Sequence, residues 1–260
     1  MKLTVLTENV AGGRFGAEHG LSYLIEHDGK TILFDTGHSD MFLRNASKLG
    51  YDLQKDVDTI VLSHGHWDHG DGLQYISRKK LITHPAAFMK RYRAADNSYI
   101  GLALTKEETE KRFELTTSKD AYQITDRIIY LGEIPGTNDF EAKSTTFIDD
   151  NANEDFVPDD SAMVFILDDG IAVVTACSHS GICNITEQAR KVTGIEKVKA
   201  VIGGFHLKKD NLQTRETIKY FKSLKVDQLY PSHCTELPAL SVFYSEFKIK
   251  QVKTGMQFHF

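Results

Sequence analysis

Four side chains of the kinds that bind divalent metals occupy six consecutive positions of the sequence. The segment HGHWDH places His64, His66, Asp68 and His69 directly after the apolar run TIVLS. Imidazole nitrogens and carboxylate oxygens are ligands of Zn²⁺, Mn²⁺ and Fe²⁺. Strand residues alternate between faces, so His64 and His66 can converge, and the neighbouring glycines let the backbone fold back tightly. The spacing predicts a metal site at a strand end rather than a polar surface turn.

More histidines follow hydrophobic β-type runs later in the chain. VVTACSHSG contains His179, VIGGFHL contains His206 and LYPSHCT contains His233. Histidines at four strand ends suggest one shared rim, with His179 and His233 as metal ligands. His206 is either a further ligand or a group that contacts the substrate. Cys177 is either a ligand or a small buried residue.

Composition restricts the partners and the compartment. The chain has 260 residues and a formal net charge of −5, which argues against a nucleic acid as the main partner. No window approaches 18 consecutive apolar residues, so no membrane span is expected. The chain has only three cysteines, an odd number, so a disulfide framework is not expected and a reducing cytoplasm is the favoured compartment. Cys183 and Cys234 are expected to be inert.

The order of predicted elements places these residues in one α/β domain that spans residues 1–260. A strand-rich first half precedes an alternation of strands and helices. Residues 86–160 are less regular and form a predicted insertion or lid. Helices are predicted at 39–53, 70–79, 106–117, 182–194, 212–226 and 241–249. KRYR at 90–93 is either a basic anchor for a phosphate or a pterin, or a solvated helix face.

The HxHxDH spacing resembles the metal signature of the metallo-β-lactamase superfamily. The resemblance implies a four-layer αβ/βα sandwich of two mixed sheets, with metals along one edge. It also implies that His64 and His66 contact one metal, and that Asp68 and His69 contact a second. ILFDTG resembles the early strand motif of the same superfamily, in which Asp35 would orient the histidine loop, residues 64–69.

A longer set of motifs resembles one branch of this superfamily over nearly the whole chain. The set is AEHGLS, HGHWDHGDG, ACSHSGICN, GGFHL and PSHCT. The branch is labelled 7,8-dihydropterin-6-methyl-4-(β-D-ribofuranosyl)-aminobenzene-5′-phosphate synthase. Two departures from the common superfamily pattern stand out: PDDS replaces the lone third-motif histidine, and TAC stands where a bridging aspartate is expected. His19 in AEHGLS is either a substrate contact or a loop histidine.

These resemblances imply a metal-dependent hydrolase or related transferase. Two divalent ions, zinc first and manganese or iron as alternatives, would activate a water that attacks a small phosphorylated substrate of phosphodiester or phosphoribosyl/pterin type. Asp68 would be a ligand and proton acceptor. His206 would hydrogen-bond a substrate oxygen or protonate the leaving group.

Two other functions remain open at this stage. A sensor or redox protein could bind a metal or ligand on the same fold without turnover, although His66 replaces the glutamate of the superfamily's two-iron members. A nuclease is disfavoured because no added basic domain is seen. A homo-oligomer is left open, since the tail QFHF is either an interface or a final core strand.

Overall fold

The chain forms two compact units, and it enters each of them more than once. The computed structural model describes residues 1–260. The first unit comprises Met1–Lys119, Ser144–Asp159 and Lys253–His259, and the second comprises Asp120–Lys143, Asp160–Val252 and Phe260. One domain over 1–260, with a lid at 86–160, stays a prediction.

Fifteen strands and seven α-helices make up the two units. The strands are β1 Lys2–Thr7, β2 Ser22–His27, β3 Lys30–Phe34, β4 Thr59–Val61, β5 Lys80–Thr83, β6 Arg91–Arg93, β7 Glu114–Thr117, β8 Tyr122–Thr125, β9 Ile128–Tyr130, β10 Phe147–Asp149, β11 Ala162–Leu167, β12 Gly170–Thr175, β13 Val198–Gly204, β14 Gln228–Ser232 and β15 Gln257–His259. The helices are α1 Met41–Lys48, α2 Leu53–Asp56, α3 Trp67–Gly70, α4 Lys106–Arg112, α5 Ile182–Thr193, α6 Leu212–Leu224 and α7 Leu237–Phe247. No helix has both the length and the apolar character needed to cross a bilayer.

The first unit is built on a seven-stranded mixed sheet. Its strand order is β15-β1-β2-β3-β4-β5-β7, and the neighbours from β3 to β7 are parallel. β2 and β3 form a hairpin whose turn residues Asp28 and Gly29 have φ of 48° and 68°, as a two-residue turn of this kind requires. One face of the sheet buries an apolar cluster that includes Leu24, Leu33 and Phe42. This core fixes the strand ends that precede the histidine loop.

The second unit is built on a six-stranded mixed sheet of order β14-β13-β12-β11-β9-β8. The β12–β13 and β13–β14 pairs are parallel, and the others are antiparallel. Helices α5, α6 and α7 contribute to its apolar cluster through Ile185, Phe221 and Phe243. α5 ends at Gly194 with φ 68°, a left-handed C-terminal conformation that glycine adopts without strain.

Several predicted boundaries are wrong for identifiable reasons. The segment 106–117 was predicted to be helical throughout, but α4 ends at Arg112. A capping box between Thr105 and Glu108 starts this helix. Phe113 is then buried, and β7 pairs in parallel with β5. The last helix begins at Leu237 rather than at 241, because Pro238 is compatible with a first helical turn.

Candidate metal centre

The histidine loop of the first unit lies at the carboxyl end of parallel strands. Asp35 follows β3 directly, and His64 comes three residues after the end of β4, its parallel neighbour. The carboxyl ends of parallel strands meet at one edge of a sheet, which is where α/β proteins commonly bind ligands. The loop closes into α3, whose first turn carries Asp68 and His69.

The four predicted ligands of this loop form one buried cluster. His64 Nε2 lies 3.0 Å from His66 Nδ1, and the rings of His64 and His69 have centroids 4.4 Å apart. Asp68 Oδ2 lies 3.6 Å from His69 Nε2. All four side chains are buried. Three imidazoles and a carboxylate brought together in this way are a donor set suited to Zn²⁺ and similar ions.

Asp35 fixes the orientation of this cluster. Its Oδ2 accepts hydrogen bonds from Ser63 Oγ at 2.8 Å and lies 2.7 Å from His69 Nδ1, and its Oδ1 accepts from Ser63 N at 2.8 Å. Ser63 Oγ also lies 2.8 Å from His64 Nδ1. Because these contacts engage the Nδ1 atoms of His64 and His69, Nε2 is the nitrogen of each ring suited to bind an ion. The contacts match the orienting role predicted for Asp35.

His19 lies beside the same cluster. Its Nε2 is 3.2 Å from Asp68 Oδ2, and its Nδ1 is 3.4 Å from Asn9 Nδ2. The structure thus brings this loop histidine to the predicted ligand Asp68. A contact between His19 and a substrate stays a prediction.

A buried ion-pair network holds the backbone of the histidine loop. Gly65 N donates to Asp159 Oδ2 at 2.7 Å, and Arg91 Nη1 donates to the same oxygen at 3.0 Å. Arg91 Nη2 pairs with Asp159 Oδ1, and Arg91 Nε donates to Asp155 Oδ2 at 2.6 Å. A side chain at Gly65 would overlap with Ala87 O, so only glycine fits at this position. Arg91 therefore supports the loop from inside the unit.

This network corrects one prediction. KRYR was predicted to be either a basic anchor for a phosphate or a pterin, or a solvated helix face, but Arg91–Arg93 is strand β6 and Arg91 is fully buried. Burial lowers the pKa of the Arg91 guanidinium, and the carboxylates of Asp159 and Asp155 raise it by more. Arg91 is thus a charged group inside the protein that pairs with Asp155 and Asp159, whereas Lys90 and Arg93 are exposed.

The second unit also gathers potential ligands at the carboxyl ends of parallel strands. Cys177 and His179 follow β12, His206 follows β13, and His233 and Cys234 follow β14. The chain turns sharply at two of these ends, since His206 and His233 both have φ of 51°. This left-handed conformation is unusual for a residue with a side chain and often marks a functional site.

Within this unit, Cys177, His206 and Cys234 form a further potential metal-binding group. One ligand atom from each lies within 4.8 Å of the others. His206 Nδ1 is buried and makes no hydrogen bond, and the rings of His179 and His206 have centroids 4.5 Å apart. Two sulfurs and an imidazole nitrogen favour a soft ion such as Zn²⁺. Both donor sets therefore fit a divalent metal.

The two cysteines that were expected to be inert differ in the direction of their pKa shifts. Burial raises the pKa of the Cys183 thiol, which agrees with that expectation. Burial also acts to raise the pKa of Cys234, but hydrogen bonding with Cys177 and with His206 and the charge of His206 lower it by more. The pKa shifts of Cys234 and Cys183 thus have opposite directions. The adjacency of His233 and Cys234 in PSHCT is the sequence signal for this group.

Similarity to known proteins agrees with this geometry. The profile of the metallo-beta-lactamase superfamily matches residues 15–186. The chain belongs to the metallo-beta-lactamase superfamily. It is 38% identical over 248 residues to an uncharacterised protein of Methanocaldococcus jannaschii, with 92% of each chain covered. It is 35% identical to the 7,8-dihydropterin-6-methyl-4-(beta-D-ribofuranosyl)-aminobenzene-5′-phosphate synthase of the same organism, over 95% of this chain and 92% of that protein.

A solved structure extends the likeness to the whole metallo-beta-lactamase fold. Tm1679, a metal-dependent hydrolase of the beta-lactamase superfamily, is 31% identical, with a TM-score of 0.89. The match covers 100% of this chain and 99% of that one. The predicted α/β fold class with two mixed sheets is confirmed. Superfamily members normally bind divalent metals, and the donor groups described above are consistent with that property.

Proposed function

We propose that this protein is a metal-dependent hydrolase, or a related transferase, that acts on a small phosphorylated molecule. The observation that carries the proposal is the buried cluster of three imidazoles and one carboxylate in the histidine loop, oriented by Asp35. Buried histidines placed this close together at a strand end are typical of a metal centre that performs chemistry.

Six residues are proposed as metal ligands. They are His64, His66, Asp68, His69, His179 and His233. Two divalent ions are proposed, zinc first, with manganese or iron as alternatives, because imidazole and carboxylate ligands suit all three. Bound ions of this kind supply Lewis acidity and a water whose pKa is lowered toward neutrality.

The remaining chemistry belongs to the side chains of this chain. Asp68 accepts the proton of the attacking water in addition to binding metal. His206 hydrogen-bonds a substrate oxygen or protonates the leaving group, a role that suits an imidazole whose Nδ1 has no hydrogen bond within the protein. His19 contacts the substrate beside Asp68. Asp35 keeps His69 in the orientation that ligation requires.

The substrate class follows from the relatives as well as from the donor set. A phosphodiester or a phosphoribosyl/pterin-type molecule is proposed, because one relative is named as a synthase of a pterin-linked ribofuranosyl phosphate and another as a metal-dependent hydrolase. Bound metals would supply the positive charge for a phosphate, which suits a chain of net charge −5.

Hydrolysis of bis(p-nitrophenyl) phosphate by zinc-loaded protein tests the proposal. Wild type should release p-nitrophenolate, and His64→Ala should lower kcat/KM by about 100-fold or more, since even partners of metal ligands contribute about 10- to 100-fold. His259→Ala, at an exposed histidine of β15, is the matched control and should keep full activity. Equal rates in wild type and His64→Ala would contradict the proposal.

A non-catalytic metal- or ligand-binding sensor or redox protein is the second candidate. The observation that favours it is the group of Cys177, His206 and Cys234, because two sulfurs and an imidazole nitrogen are soft donors that suit tight binding of an ion. This candidate predicts bound metal together with no turnover of any phosphoester in a broad panel. It would replace the hydrolase proposal if both results were found.

A further inference from the structure

A cavity of about 380 Å³ opens in the first unit beside the histidine loop. This volume lies in the range of sites that hold small molecules. Its lining consists of His38, Trp67, Asp71, Tyr99, Gly101 and Ala103. We call these six residues the aromatic cleft. Its tryptophan stands between the predicted ligands His66 and Asp68 in the chain, so the cleft adjoins the candidate metal centre.

Two large aromatic rings line the cleft and are held in place by the backbone. Trp67 N donates to Ile100 O at 3.1 Å, which ties the histidine loop to the segment that carries Tyr99. Tyr99 Oη donates to Leu102 O at 2.9 Å, yet its side chain is 48% exposed. A fixed aromatic ring that stays this exposed offers its face to a ligand, and flat rings stack on such faces.

Glycine at position 101 preserves this arrangement. A Cβ there would come within 2.6 Å of Tyr99 Oη, so any side chain would displace the tyrosine. On the other side, the ring of His38 meets Trp67 edge-on with centroids 4.6 Å apart. The cleft thus has ordered walls rather than loosely placed surface residues.

Asp71 supplies a polar group within the cleft. Its Oδ1 accepts a hydrogen bond from Ala103 N at 2.8 Å, and this is the only hydrogen bond of its carboxylate. Oδ2 therefore remains available to a ligand. An ionised carboxylate only accepts hydrogen bonds, so it selects N–H donors and repels phosphate. The cleft suits the ring end of a phosphorylated molecule and not its phosphate end.

We propose that the aromatic cleft binds the flat ring of the substrate, a nitrogen heterocycle that carries an amino group beside a ring N–H. Trp67 and Tyr99 pack against the ring, and Asp71 accepts its N–H groups. This inference rests on the proposed function, because it places the remainder of a phosphorylated substrate toward the histidine loop. Trp67, Tyr99 and Asp71 are the residues that select the ring.

Binding of two ring probes without phosphate tests the cleft separately from catalysis. The probes are 6-methylpterin and 6-methyllumazine, which differ by an amino group in place of an oxygen. Titration calorimetry on zinc-loaded protein should show tighter binding of 6-methylpterin. Because Trp67 is the only tryptophan of the chain, binding should also quench the intrinsic fluorescence.

Variants assign the binding to the cleft. Tyr99→Ala should weaken 6-methylpterin binding about ten-fold or more, the scale of one lost stacking partner, whereas Tyr99→Phe should keep it. Asp71→Asn should weaken 6-methylpterin about ten-fold and remove the preference over 6-methyllumazine. Tyr75→Ala, at another exposed tyrosine outside the cleft, is the matched control and should bind as wild type does.

The outcomes separate this proposal from the proposed function. No binding of 6-methylpterin, or equal binding by wild type, Tyr99→Ala and Asp71→Asn, would contradict the proposal that the cleft binds the ring. This holds even if bis(p-nitrophenyl) phosphate is hydrolysed. Binding that both substitutions weaken, with no hydrolysis of any phosphoester, would support ring binding by the cleft and contradict the proposed hydrolase function.

Discussion

At the scale of single residues, the carboxylate of Asp35 joins Ser63, which precedes the histidine loop, to His69 at the end of the loop. One oxygen accepts the backbone N–H of Ser63, and the other contacts Ser63 Oγ and His69 Nδ1. The residue itself has φ of 56°, an unusual conformation for a side-chain-bearing residue. Asp35 is fully buried. Its contact with Nδ1 fixes the orientation of the His69 ring.

Asp35→Asn should weaken zinc binding by about 10- to 100-fold, the usual effect of losing a partner of a metal-binding histidine. Asparagine has a single side-chain oxygen, so its amide would face either Ser63 or His69. Competition with a chromogenic chelator measures the zinc Kd. Asp40→Asn, at an aspartate that pairs with exposed Arg44, is the control. Equal Kd values for the two variants would show that Asp35 does not act through the ligands.

The sequence could reveal the histidine loop because its donors lie within six positions of one another. It could not reveal Arg91 as a buried group, because its partners Asp155 and Asp159 lie 64 and 68 residues away. The potential metal-binding group that contains Cys234 was missed for the same reason, since it depends on contacts among three strand ends. Potential metal ligands that are close in sequence can be recognised from their spacing. Contacts between residues that are far apart in sequence can be recognised only once the fold is known.

At the scale of elements, β6 is anchored by a charge rather than by an apolar side chain. Arg91 on this strand pairs with Asp155 and Asp159, and Asp159 also accepts the N–H of Gly65. The strand therefore connects the segment after β10 to the histidine loop. Removal of the guanidinium would leave two buried carboxylates without their partner.

Arg91→Met should lower the free energy of unfolding by about 3–5 kcal/mol, the typical effect of breaking a buried ion pair by removal of one partner. Arg93→Met, two residues along the same strand and exposed, should change it by less than about 0.5 kcal/mol. Urea denaturation followed by circular dichroism measures both. A similar loss in the two variants would show that the network is not responsible.

Predicted elements were accurate where a hydrophobic pattern and its end signals agreed. The helix predicted at 182–194 was observed at Ile182–Thr193, with Gly194 as its stop. The hairpin of β11 and β12 lies within the predicted 162–178 segment. The helix predicted at 106–117 was half wrong, because parallel pairing of β7 overrides the helical pattern of its charged residues. Tertiary pairing of this kind is not visible in local sequence.

At the scale of the whole molecule, each unit carries potential metal-binding residues at the carboxyl ends of its parallel strands. The first unit holds the histidine loop and Asp35, and the second holds Cys177, His206 and Cys234. The fold class could be predicted because the HxHxDH segment and the motifs that follow it resemble those of the superfamily, and the match to the superfamily confirms it. The division of the chain into two compact units was not predicted. The chain enters each unit more than once, so no single boundary along the sequence separates the two units.

The number of metal ions per chain most directly tests the central claim, which is that this protein binds two divalent ions. Protein purified without chelator, loaded with zinc and desalted, should contain two divalent ions per chain by inductively coupled plasma mass spectrometry. His64→Ala should retain fewer, and His259→Ala should match wild type. Wild-type protein that retains no stoichiometric metal under these conditions, or a His64→Ala variant with an unchanged count, would contradict the account.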